Sequence, residues 1–162
     1  MSAAEGLPAY STEIAEEWID YNGHLSEAFY VLIFGCATDQ AMEVLGMGPE
    51  YRERAGASLY TVEAHVRYLQ EVPRGASVQV RTVIAGSAEK KLHLAHEMYR
   101  VESEAAEEGS GELVATEEIL GVHVGGDPAG AQPFPAEVAE LIAQHSGQDA
   151  PAWTGRAIRP VA

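Results

Sequence analysis

Residues 18–48, WIDYNGHLSEAFYVLIFGCATDQAMEVLGMG, decide the fold. Within them Leu25, Phe29, Leu32, Ile33, Cys36, Ala37, Gln40, Ala41 and Val44 recur at spacings of three and four, the period of one helix face. Tyr30, Val31 and Phe34 are apolar too, so the pattern predicts a helix of about twenty residues buried nearly all round. Ser26 or Asn22 can cap its start, and Gly46 and Gly48 end it. On this reading Cys36 is a small core residue rather than a nucleophile. A helix this apolar has to be wrapped, and the flanking sequence supplies mainly strands.

Upstream, residues 7–15 read as a short strand through Tyr10, Thr12 and Ile14. Downstream, ASLYTVEAHVRYLQEV (57–72) alternates, with Tyr60, Val62, Ala64, Val66 and Tyr68 on one face. Leu59, Thr61, Glu63, His65 and Arg67 form the other. Pro73 to Gly75 turn the chain into a β-rich stretch, 77–85. KLHLAHEMYRV (91–101) alternates cleanly, with Leu92, Leu94, His96 and Met98 on one side, and ELVATEEILGVHV (112–124) is the last strand. A short amphipathic helix then turns Val138, Leu141 and Ile142 inward, and residues 147–162 form an extended tail carrying Trp153. The order implies an α+β hotdog architecture: a five-stranded antiparallel sheet, its later strands joined mainly by short turns, around one central helix, plus a short C-terminal helix. Residues 1–126 make up that domain; 127–162 are a loop, helix and tail packed on it.

Composition narrows the function. The 162-residue chain has 10 basic against 25 acidic side chains, a formal net charge of -15. That balance argues against nucleic acid and against anionic membrane surfaces as partners. One cysteine excludes an internal disulfide framework. The N-terminal residues show neither a basic n-region nor an apolar h-region, so the cytoplasm is the expected location. Residues 1–51 hold nine acids and no lysine or arginine, whereas residues 52–100 carry eight of the ten basic side chains. An anionic ligand would find its cations there, although such charges also suit a solvated sheet face.

The chemistry concentrates where the helix begins. Asp20, Asn22, Gly23 and His24 form a turn ahead of Glu27, which sets a carboxylate beside the unpaired N–H groups of roughly residues 24–27. That arrangement can stabilise an oxyanion while the carboxylate serves as nucleophile or base. Asp20 and Asn22 could equally do no more than cap the turn.

The pattern Asp20-x-Asn22-Gly23-His24-x-x-x-Ala28-x-Tyr30, followed by a strand ending Tyr-Leu-x-Glu-Val, resembles acyl-CoA thioesterases of the 4-hydroxybenzoyl-CoA thioesterase family. The likeness covers roughly residues 8–124. WIDYNGHLSEAFY, TVEAHVRYLQEV and EKKLHLAHEMY are most similar to its carnitine-catabolism branch, the betainyl-CoA thioesterases. The resemblance implies hydrolysis of an acyl-CoA thioester, with Asp20 as the catalytic carboxylate and the helix-start amides near Glu27 polarising the carbonyl. Coenzyme A enters as part of the substrate, with no separate cofactor and no metal. Relatives often carry asparagines where this chain has Ser26 and Glu27.

Trp18, Tyr21, Phe29 and Tyr60 could form a box for a quaternary ammonium group, with Glu63 as a nearby carboxylate and His65 on the same strand face. Each aromatic could equally be core. Lys90 and Lys91, with Arg67, Arg74 and Arg100 behind them, are candidates for the coenzyme A phosphates. His93 and His96 fall on opposite strand faces, so a shared metal is not expected. His24 either orients Asp20 or fills the helix start. A non-catalytic acyl-thioester-binding protein and a hydratase or dehydratase are the alternatives. The unpaired sheet edge and apolar helix imply a homodimer, extending to a tetramer if dimers pair.

Overall fold

A computed structural model describes residues 5–156 and 158–161. Its elements are β1 (Tyr10–Glu13), a 3-10 turn (Glu16–Trp18), α1 (Glu27–Val44), α2 (Pro49–Ala55) and β2 (Ala57–Tyr68). They continue with β3 (Ser77–Ser87), β4 (Lys91–Val101), β5 (Glu112–Gly125), β6 (Gly130–Ala131) and α3 (Ala136–Gln144). The antiparallel sheet runs β1-β3-β4-β5-β2, with the two-residue β6 added on β5 as a sixth strand. The fold is α+β, a curled sheet around α1.

Phe34, Ile33, Ala37 and Ala41 of α1 are buried against the sheet. Each large side chain so removed from water contributes on the order of 2 kcal/mol. The core has two lobes. Around the start of α1, Leu25, Tyr30 and Phe34 meet Val78, Val80, Met98 and Val114. Around its end, Leu45, Met47 and Tyr51 meet Leu92, Leu94, Val138 and Ile142, so α3 closes that lobe.

Four expectations need correction. First, α1 is not buried all round: Val31 is 45% and Leu32 46% exposed, and Cys36 is half-buried. The sheet covers one stripe of the helix only. Second, β2 and β3 are not neighbours. The segment after Tyr68 carries the chain from the β2 edge across to β3, beside β1, and on the way Leu25 N–H donates to the Val72 carbonyl at 2.8 Å. Pro and Gly mark such a crossover as readily as a hairpin turn. Third, β2 does not alternate uniformly, because its register with β5 jumps between Thr61 and Glu63. The extra residue, Val62, is a β-bulge, and a one-residue slip moves every later side chain to the opposite face. Before the bulge Ala57 and Leu59 point to the core; after it Ala64, Val66 and Tyr68 do. Leu59 packs where a Cβ on Gly121 would stand, 2.7 Å away, so the inner face tolerates only glycine there. Fourth, α2 is an additional helix. Its signature was the Pro49 at the first helical position after Gly48.

Candidate active site

The turn before α1 is a small hairpin. Ile19 bridges Leu25, Ser26 N–H donates to the Trp18 carbonyl at 2.9 Å, and Asp20 N–H donates to the His24 carbonyl at 2.9 Å. Gly23, at φ 82°, supplies the left-handed residue that closes the turn. Asp20 Oδ1 accepts from Asn22 N–H at 2.8 Å and, longer, from His24 N–H at 3.5 Å. The carboxylate is therefore oriented by backbone, and one oxygen carries both bonds.

The free amides lie further along than the sequence suggested. His24, Leu25 and Ser26 each spend their N–H inside the hairpin or on Val72. Phe29 N–H donates to the Ser26 carbonyl. Ser26 occupies the cap position without a side-chain bond, which leaves the Glu27 and Ala28 N–H groups at the positive end of the helix. The His24 ring faces Glu71, Nε2 to Oε2 3.3 Å, and so neither orients Asp20 nor fills the helix start; its backbone N–H is what reaches Asp20.

A cleft of about 620 Å³ opens beside the helix start, lined by Leu25, Glu27, Tyr30, Tyr68, Arg100 and Glu112 among others. Asp20 is not part of this lining, though its charge is felt at Tyr30, whose hydroxyl is pushed up chiefly by burial. Tyr30 and Tyr68 meet edge to face with centroids 5.1 Å apart, and Tyr30 donates to the Gln70 carbonyl at 3.1 Å.

The expected aromatic box does not assemble within the chain. Trp18 and Phe29 do stack, at 5.9 Å and 17°. Tyr21 is 98% exposed. Tyr60 lies before the bulge, paired with Val122, on the outer side of the sheet. Eight residues separate it from Tyr68, roughly 25 Å along a strand. The same bulge puts Glu63, His65 and Arg67 on the outer face, away from α1. There Glu63 and His65 line a second cleft with His93, Glu118, Gly155 and Arg156.

Glu118 organises that outer face. It takes His93 Nε2 at 2.7 Å, the Gly155 amide at 2.8 Å and the Arg156 amide at 3.3 Å. Burial alone would push its carboxyl up, but the Gly155 amide and His93 outweigh it and hold the group low. Trp153 Nε1 donates to Glu97 at 3.1 Å, so the tail lies across the outside of the sheet. Lys90 and Lys91 sit exposed at the β3–β4 turn, roughly 20 Å along β4 from Met98 in the lobe around the helix start. Arg100, at the other end of that strand, is the cation that lines the cleft.

Sequence reasoning missed Glu117 and Tyr68 as candidate groups, and it placed Arg100 behind the lysines although Arg100 is the one that reaches the cleft. Glu117 faces inward, opposite His96 on β4 and Val66 on β2. Burial lifts its carboxyl to about 7. A charged residue between apolar strand positions was the available signal.

The chain matches the Thioesterase-like superfamily over residues 15–142 and belongs to it. It is 40% identical to a betainyl-CoA thioesterase of Pseudomonas aeruginosa over 94% of both chains. It is 36% identical to a Rhizobium meliloti L-carnitine dehydrogenase/betainyl-CoA thioesterase, matching 96% of this chain and 31% of that longer protein. Among solved structures, a Pseudomonas putida putative thioesterase superposes with TM-score 0.73 at 36% identity, covering 97% of this chain and 100% of that one. A Staphylococcus aureus protein in complex with CoA shares the fold, with TM-score 0.84 at 24% identity and coverage of 98% and 99%.

Proposed function

We propose that this protein hydrolyses acyl-CoA thioesters, with the betainyl group as its acyl substrate. The observation that carries the reading is the backbone-oriented Asp20 carboxylate on the hairpin that leads into two unspent helix-start amides. The thioester oxygen takes up negative charge as the carbonyl carbon becomes tetrahedral, and the Glu27 and Ala28 N–H groups are donors suited to it. Asp20 either removes a proton from the attacking water or attacks the carbonyl itself to give an anhydride that water then opens. In both courses the C–S bond breaks, coenzyme A leaves as its thiolate, and the acid is released. Asn22, Gly23 and His24 hold the turn through their backbone. Trp18 and Phe29 flank it, and Arg100, which lines the cleft, is a cation for the coenzyme. Lys90 and Lys91 would need the coenzyme to run the length of β4.

Residues 1–126 carry this chemistry, and 127–162 brace it. The substrate class goes with a cytoplasmic enzyme. A homodimer also belongs to the reading. Val31 and Leu32 on α1 and Val62 on the edge strand are exposed apolar groups that a second copy can cover. Sedimentation giving a stable 17.3 kDa monomer at micromolar concentration would remove the dimer.

Thiol release from a panel of acyl-CoAs tests the activity. Hydrolysis with betainyl-CoA among the best substrates is expected. Binding without thiol release, or a double-bond absorbance change instead, would point to a carrier or a hydratase and overturn the reading.

A further inference from the structure

His96 and Glu117 face each other across the β4–β5 register on the inner side of the sheet. His96 is fully partnered, while Glu117, only 4% exposed, has no hydrogen bond or ion pair among the described residues. Among the described residues the Glu117 oxygens are not counted with the side-chain atoms that are both sealed and unpaired, so they keep some contact with open space. A desolvated carboxyl without a partner is costly, and proteins keep such groups chiefly where a ligand completes them.

The surroundings say which ligand. Val66 is its register partner on β2, and Tyr68 is the next inward residue on that strand. Tyr68 feels the charges of both Glu27 and Glu117, and it packs against Tyr30 in the cleft. The titratable groups around Glu117 are His96 on β4 and Tyr68 on β2, with Glu27 at the start of α1 on the far side of Tyr68. None is a cation near neutral pH, because burial holds His96 down at about 3. A quaternary ammonium group has no N–H to donate; it is held by aromatic faces and by fixed negative charge. Betainyl-CoA carries that charge one methylene from its thioester carbonyl, so its seat has to adjoin the helix start, which the proximity of Tyr68 to Glu27 provides.

We infer that Glu117, with the Tyr30 and Tyr68 rings, seats the cationic end of the acyl group and selects cationic over neutral acyl-CoA. This rests on the thioesterase reading above. It replaces Glu63, which the bulge sends to the outer face, with a carboxylate the sheet turns inward. Because burial lifts Glu117 to about 7, a bound cation would draw off its proton.

The test compares kcat/KM for betainyl-CoA and for its uncharged isostere, 3,3-dimethylbutanoyl-CoA, in the wild type and in Glu117→Gln. The wild-type preference for the cation should fall by about tenfold or more in the variant. A variant that keeps the wild-type ratio, whether or not both rates drop, overturns the role of Glu117 and leaves the thioesterase reading intact. No thiol release from either substrate in the wild type removes both. Should Glu117→Gln fail to fold, tetramethylammonium inhibition of wild-type hydrolysis of the neutral substrate decides, with potassium chloride as the ionic-strength control. Its inhibition constant should tighten by about tenfold from pH 6 to pH 8 as Glu117 ionises. A flat constant overturns the inference.

Discussion

The inner face of the sheet has a closed half and an open half. Over β3 and β4, α1 lies directly on the strands and every polar group is matched. His96 Nε2 meets Thr38 at 2.9 Å, and Thr38 spends its own hydrogen on the Phe34 carbonyl. Nε2 must therefore carry the proton, and Nδ1 accepts from Thr82 at 2.8 Å. The neutral ring is satisfied at both nitrogens. Over β2 the helix no longer covers the strand: Ala64 and Tyr68 point inward yet remain exposed, and Glu117 is unmatched. The same sheet thus builds a closed support and an open face. The difference is whether a helix sits on it.

The largest effect should come at the open end. Asp20→Asn preserves the acceptor for the Asn22 amide but removes the charge, so kcat should fall by about two to four orders of magnitude with the fold intact. Activity within a few-fold of wild type would reduce Asp20 to a turn residue. A change on the uncovered face of α1 comes next. Val31→Glu would set a charge in the proposed dimer contact and should shift sedimentation toward the 17.3 kDa monomer without lowering the melting temperature of the isolated subunit. An unaltered dimer would mean that another surface joins the subunits.

Thr82→Val probes the closed half. It strands His96 Nδ1 without a donor and should cost about 1–3 kcal/mol in urea unfolding, with kcat of the folded enzyme preserved. A loss below about 0.5 kcal/mol would mean the pair contributes little to holding the helix on the sheet.

The smallest effect is a pH profile in which the two halves oppose each other. His96, at about 3 folded and 6.5 unfolded, binds fewer protons in the native state between those values, so its contribution to stability rises with pH across that window. Glu117, at about 7 folded and 4.5 unfolded, binds more, so its contribution falls as pH rises from 4.5 to 7. Where the windows overlap the two slopes cancel. Glu117→Gln should therefore unmask a rise in stability between pH 4.5 and 6.5, measured by denaturant titration at fixed pH. Parallel profiles for variant and wild type would show that Glu117 does not titrate in that window.

Much of this was legible in the order of residues. The three-four spacing through residues 25–44 gave the helix, the alternation in 91–101 gave the inward set of β4, and Val138 and Ile142 gave the face of α3. Each is a local period, set by side chains a few positions apart. The Asp20 turn was legible for the same reason, since Asn22 and Gly23 belong to its own hydrogen bonds.

What the tertiary structure alone decided depends on partners distant in the chain. The bulge at Val62 exists because of the register with β5, and it put Tyr60 on the same outer face as Glu63 and His65, which plain alternation sets on opposite faces. The crossover from β2 to β3 used the same Pro-Gly punctuation as a hairpin. The free amides moved to Glu27 and Ala28 because Val72, nearly fifty residues away, takes the Leu25 N–H. Glu117 became a candidate only when β4 and β2 closed around it. A periodic pattern fixes which side of an element is apolar, but which polar groups are left wanting is settled by what packs across from them.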